Sequence, residues 1–186
     1  MELRALRDDE IKNIFYHHIQ HDFPKNEIRP LKSMLTMKHQ ERYLGYGLFD
    51  HEELLGYAFF ASCSNSLLLD YFAIVKGKRD QGLGSKFLEM LLKELSSYFI
   101  IAEVESTLTT NNEDERLMRT RRLNFYLKNQ FKRTNIQCHL YFVDYHIIYY
   151  YKETLPDEKI YSILETLYHS LYSPLAYKSF IRINLK

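Results

Sequence analysis

The segment Arg79-Asp80-Gln81-Gly82-Leu83-Gly84 constrains this chain more than any other feature, because an apolar run, Ser66 to Val75, precedes it and an amphipathic run, Ser85 to Ser97, follows. Strand, tight turn and helix are predicted in that order. The first turn of a helix carries backbone N–H groups without intrahelical partners, and the helix dipole adds partial positive charge there. An anion fits at such an end. Gly82 and Gly84 would let a pyrophosphate approach the main chain, with Arg79 adding a charge-assisted contact from the flank. Two nucleotide patterns are excluded. Phe87 stands where a dinucleotide fingerprint needs its third glycine, and a P-loop started at Gly77 would place Leu83 at the lysine and Gly84 at the hydroxyl residue.

At 186 residues and 46% apolar, the chain can bury one sizeable core, and no Ser/Pro/Gly-rich run divides it. One domain, 1–186, is expected. Twenty-five basic against 24 acidic residues argue against a nucleic-acid binder working by phosphate neutralisation. Cys63 and Cys138 form no CxxC motif and no disulfide framework. His17 and His21 share a helical face without a third ligand, so no metal is expected. The charged start lacks the apolar core of a signal peptide, and no apolar run could span a bilayer, so no membrane partner and a cytoplasmic location are expected.

Along the chain, Met1 to Leu6 reads as a short strand, and Asp8 or Asp9 as the cap of a helix carrying Ile11, Ile14, Phe15 and Ile19. A second helix follows Pro24 and starts at or just before Pro30, with Ile28, Leu31, Met34 and Leu35 on one apolar stripe. Tyr43 to Phe49 and Glu53 to Ser62 form a hairpin around Asp50-His51-Glu52, and Leu67 to Val75 is the next strand. Helix 84–95 presents Phe87, Leu88, Leu91, Leu92 and Leu95 to the sheet. Strand 99–105 and a helix over 113–129, with Leu117, Leu123 and Leu127 partly inward and the arginines outward, come next. A strand 146–152, a helix from Asp157 to Leu171 and a terminal strand 179–185 complete the reading.

Arg-x-x-Gly-x-Gly between strand and helix resembles the acyl-CoA pyrophosphate loop of the GNAT superfamily of N-acetyltransferases. The resemblance covers about residues 66 to 131. It implies an α/β (α+β) fold with a mixed, mostly antiparallel central sheet flanked by helices, and a splayed strand pair holding acyl-CoA. Leu69-Asp70-Tyr71-Phe72-Ala73-Ile74-Val75 is similar to the family's fourth strand, whose main chain pairs with the pantetheine arm. Phe72, Ala73, Ile74 and Val75 inherit that role, and Arg79, Asp80, Gln81, Gly82, Leu83, Gly84 and Ser85 inherit the pyrophosphate. Ala102-Glu103-Val104-Glu105 resembles the fifth strand, where a glutamate serves as general base. Glu103 and Glu105 project to one face, and either could accept the amine proton, with Asp70 a third candidate.

Arg121 to Phe131 resembles the family's last motif, and its Tyr126 matches the tyrosine that protonates the departing CoA sulfur. Gln130 replaces the usual glycine, so Asn129 is expected to turn left-handed at the helix exit. Arg119 replaces an asparagine that contacts the CoA arm in the family. The implied function is direct acetyl transfer from acetyl-CoA to a primary amine, without a metal. A non-catalytic acyl-CoA module is the alternative, and a homodimer through the aromatic C-terminal strands is a further expectation.

Overall fold

In the computed structural model, which describes residues 1–185, β2 (Tyr43–Asp50) and β3 (Glu53–Cys63) close a hairpin in which Asp50 pairs with Glu53. His51 takes a left-handed φ of 53° in the two-residue turn, the conformation that a tight antiparallel connection requires. The chain forms two compact units, Met1–Ser62 with Leu69–Glu94, and Cys63–Leu68 with Leu95 onward.

The first unit orders its strands β1-β2-β3-β4, with β1 at Glu2–Ala5 and β4 at Ser66–Ile74. Tyr43, Leu48, Tyr57, Phe59 and Phe60 of β2 and β3 are fully buried in its core. Helix α1 (Asp8–Ile14) continues through a π-helical turn, Phe15–Ile19, into α2 (Gln20–Asp22), and Ile11, Ile14 and Ile19 are buried along it. The cap differs from expectation. Arg7 is the N-cap residue, and the Glu10 carboxylate accepts its backbone N–H at 2.8 Å. Asp8 instead holds Lys38 at 2.6 Å and His39 at 2.7 Å, both from α3 (Leu31–His39). Helix α4 (Leu83–Glu94) buries Phe87, Leu88, Leu91 and Leu92, the stripe expected from the sequence.

The second unit orders its strands β5-β7-β6-β8, all antiparallel. They are β5 (Phe99–Glu105), β6 (Lys132–Leu140), β7 (Val143–Tyr150) and β8 (Ile181–Leu185). Three helices accompany them: α5 (Glu113–Lys128), α6 (Asp157–Leu171) and α7 (Pro174–Phe180). Asn112 caps α5 by accepting the Glu115 N–H at 3.1 Å. Leu123 is buried on α5 and Leu117 is half exposed, while Arg119, expected to face outward with the other arginines, is largely buried by its ion pairs with Glu105 and Glu115. Gln130 itself takes the left-handed φ of 72°, and Asn129 stays at −102°. Strand β6 and helix α7 were not foreseen.

Candidate active site

In the first unit, β4 delivers the chain to the glycine loop. Val75 N–H donates to the Leu55 carbonyl of β3 at 2.9 Å. Because backbone groups alternate between the two sides of a strand, Val75 and Ala73 turn theirs toward β3, and Phe72 and Ile74 turn theirs to the opposite edge. Gly56 of β3 permits the close approach, since a Cβ there would come 2.9 Å from the Ala73 carbonyl oxygen. Phe72 through Val75 are half buried, and the Phe72 ring stacks on Phe87 of α4 at 5.3 Å.

Between β4 and α4 the backbone turns left-handed three times, at Gly77 (φ 93°), Asp80 (64°) and Gly82 (74°). A Cβ at Gly82 would meet no protein atom within 4 Å, so the glycine answers the backbone's handedness rather than crowding. Leu83, Gly84 and Ser85 then open α4, and the Lys86 N–H donates to the Gly82 carbonyl at 3.3 Å. The amides of that first turn point out of the helix toward the loop side, as an anion site requires. Arg79, Asp80, Gln81 and Gly82 are exposed. Arg79 has protein partners of its own: Nε donates to the Ile74 carbonyl at 3.0 Å and a terminal nitrogen to Asp22 Oδ1 at 2.8 Å. Asp22 also accepts from the Tyr57 hydroxyl at 2.9 Å, and burial beside that carboxylate pushes the Tyr57 phenol far above its usual range. Asp70 is bound by Arg29 at 2.9 Å and by the Tyr43 hydroxyl at 2.5 Å. That pairing gives Asp70 a place in the framework of the first unit.

In the second unit, β5 carries Glu103 opposite Ile147 and Glu105 opposite Tyr145 of β7, so the two carboxylates share one face. Their surroundings differ. Glu105 is clamped by α5, with Arg122 at 2.5 Å and Arg119 at 3.8 Å. Glu103 accepts a hydrogen bond from the Tyr168 hydroxyl of α6. Arg119 also donates to the Ser106 carbonyl at 2.7 Å and pairs with Glu115 at 2.6 Å, so it braces the loop between β5 and α5.

Tyr126 is buried on α5, its ring 5.2 Å from Phe125 and 5.3 Å from Phe131. Phe131 lies 6.1 Å from Tyr150, which pairs with Ile100, a residue of the β5 face opposite to that of Glu103. Phe131 thus links Tyr126 toward Tyr150 of β7, while Arg122, one turn earlier on the same helix, reaches Glu105 of β5. Burial pushes the Tyr126 phenol up to about 12, against a small lowering by Arg122. Among the described residues no cluster of three or more His, Cys, Asp or Glu is placed to hold a metal ion, and no helix is long and apolar enough to cross a membrane. Tyr168, Asp22 and Arg122 were missed in the sequence. Tyr168 sits in the helical stripe Ile160, Leu164, Leu167, Tyr168, which reads as core, and nothing local marks Asp22 or Arg122 as the partner of a distant group.

No protein-family model and no curated protein matches the chain. Solved structures do. An acetyltransferase of the GNAT family from Bacteroides thetaiotaomicron superposes over 95% of this chain and 98% of its own, with a TM-score of 0.73 at 18% identity. The ribosomal-protein-S18-alanine N-acetyltransferase from Escherichia coli covers 84% of this chain and 96% of its own, with a TM-score of 0.60 at 20% identity. A Bacillus subtilis acetyltransferase in complex with CoA covers 82% and 99%, with a TM-score of 0.58 at 12% identity. This chain thus has the fold of these structures, with a mostly antiparallel sheet flanked by helices. Specifically, the fold is that of the GNAT superfamily.

Proposed function

We propose that the protein is an acetyl-CoA-dependent N-acetyltransferase, one domain over 1–186, that moves an acetyl group to a primary amine by direct transfer. The observation that carries the reading is the left-handed Gly82 turn opening α4 within a GNAT fold. The loop from Arg79 to Ser85 would take the pyrophosphate on the α4 amides, and Phe72 and Ile74 would offer main-chain groups to the pantetheine. Arg79 would exchange its Asp22 contact, or share it, with a phosphate oxygen.

In the reaction the amine nitrogen attacks the thioester carbonyl, the C–N bond forms and the C–S bond breaks. Glu103 accepts the ammonium proton. It is preferred to Glu105, whose carboxylate is already occupied by two guanidinium groups. Tyr126 stabilises the departing thiolate. A phenol near 12 keeps its proton through the neutral range and holds it more tightly than an ordinary thiol, whose value is about 8.5. Its contribution is accordingly a hydrogen bond to the developing charge more than a completed proton transfer.

The test is thiol release from acetyl-CoA across a panel of primary amines that includes peptide N-termini, polyamines and aminoglycosides, paired with calorimetry. Saturable binding with amine-dependent thiol release is expected. Binding without release on every amine would favour a non-catalytic acyl-CoA module, and absence of binding would overturn both readings.

A further inference from the structure

We infer that Tyr168, on a helix 65 residues beyond Glu103, is the positioning residue of the proposed base: its hydroxyl donates to Glu103 Oε1 and fixes the carboxylate in one rotamer. The inference rests on the assignment of Glu103 as base. Four turns of α6 bury Ile160, Leu164, Leu167 and Tyr168, and that packing brings a completely buried hydroxyl over a half-buried carboxylate of β5. A tyrosine has two side-chain torsions, and its ring is held here by apolar neighbours, so little freedom is left to lose when it grips the carboxylate. Its ring also packs edge-on against Tyr172 at 5.7 Å. Burial and the Glu103 charge both hold the Tyr168 proton on its own oxygen, which leaves the negative charge on Glu103.

Other titratable groups stand around the pair. Cys138 of β6 lies 3.5 Å from the Tyr168 oxygen, and its thiol is pushed up to about 12 by burial. On the same face stand Tyr145 of β7 and Glu105, the latter held by Arg119 and Arg122 of α5. His146 pairs with Val104 and so belongs to the other face, while Asp144 is engaged with His139 at 2.8 Å. Ser66–Leu68 of β4 bring no titratable group. A base poised in this way has two properties that matter to the reaction: one orientation toward the incoming amine, and availability as carboxylate at lower pH than a carboxyl without the donor.

The experiment is a pH titration followed by infrared spectroscopy on protein carrying carboxyl-labelled glutamate, with Glu103→Gln subtracted to isolate the Glu103 band. Tyr168→Phe keeps the ring and removes the donor. Its Glu103 midpoint is expected to rise by about one pH unit, the scale of one hydrogen bond to a charged group. The acidic limb of kcat/KM should move up with it, with KM for acetyl-CoA unchanged. An unmoved infrared midpoint overturns the inference. Should Tyr168→Phe not fold, the wild-type protein gives a second readout: a slowly exchanging Tyr168 hydroxyl proton whose resonance shifts as Glu103 is protonated. Absence of that coupling also overturns it. A moved midpoint without transfer to any amine leaves Tyr168 as the holder of Glu103 and removes the acetyltransferase reading; transfer with an unmoved midpoint does the reverse.

Discussion

Tyr126 and Glu10 show how single side chains carry distinct parts of the account. Tyr126→Phe preserves the packing against Phe125 and Phe131 and removes only the hydroxyl. Steady-state kinetics should show kcat reduced by about 100-fold, the scale of removing one hydrogen-bond donor to a developing anion, with binding of acetyl-CoA unchanged. An unaltered kcat at several pH values would sink its assignment. Glu10 tests stability. Its hydrogen bond from Arg4 is the leading cause that holds its carboxyl below the usual range, with the Arg7 N–H adding to it against a desolvation cost. A depressed native value means that the ionised form contributes stability above the unfolded value of about 4.3, and the contribution is lost as pH falls through the native value. Glu10→Gln should therefore cost up to about 1 kcal/mol in urea unfolding at pH 7 and nothing at pH 2. An equal loss at both pH values would show that packing, and not charge, is responsible.

At the scale of elements, the glycine loop and the strands around it were legible because their signals are local. The apolar stripe of α4, the hairpin closed at His51 and the position of Gly82 all follow from spacing and turn chemistry within about a dozen residues. Gly82→Val places a β-branched residue at φ 74°, a region that costs such residues about 1–3 kcal/mol. Thermal unfolding should reveal that loss, and acetyl-CoA binding should weaken with it because the α4 amides are re-aimed. Unchanged affinity would separate the loop from the phosphate. Strand β6 was less readable. Its buried positions alternate, but they are filled by Thr134, Ile136, Cys138 and Leu140, only two of them large and aliphatic, and its pairing with β7 is interrupted between Arg133 and Gln137. Its strand character comes from the neighbours β7 and β8 rather than from its own composition. Gln130 was misjudged for a related reason. A long polar side chain at an exposed helix exit tolerates the left-handed turn that glycine usually supplies, provided the Phe131 N–H can reach the Tyr126 carbonyl, which it does at 3.1 Å.

For the whole molecule, the fold could be anticipated from a resemblance confined to about residues 66 to 131, and structural likeness then extended it to nearly the full chain. The site was legible only in part. Glu103, Glu105 and Tyr126 stand in recognisable segments, whereas the partners that distinguish them, Tyr168 on α6 and Arg119 and Arg122 on α5, are long-range in sequence or hidden in ordinary helical patterning. A helical stripe predicts burial of Tyr168; only tertiary structure places its hydroxyl on a carboxylate. The central claim is direct transfer from acetyl-CoA to an amine. It is tested most directly by a single-turnover reaction in which acetylated amine, free CoA and intact protein mass are measured together by mass spectrometry. Acetylated amine and CoA should appear at the same rate, with the protein mass unchanged throughout and the rate lost in Glu103→Gln. An acetylated protein that precedes the acetylated amine, or a rate indifferent to Glu103→Gln, would contradict it.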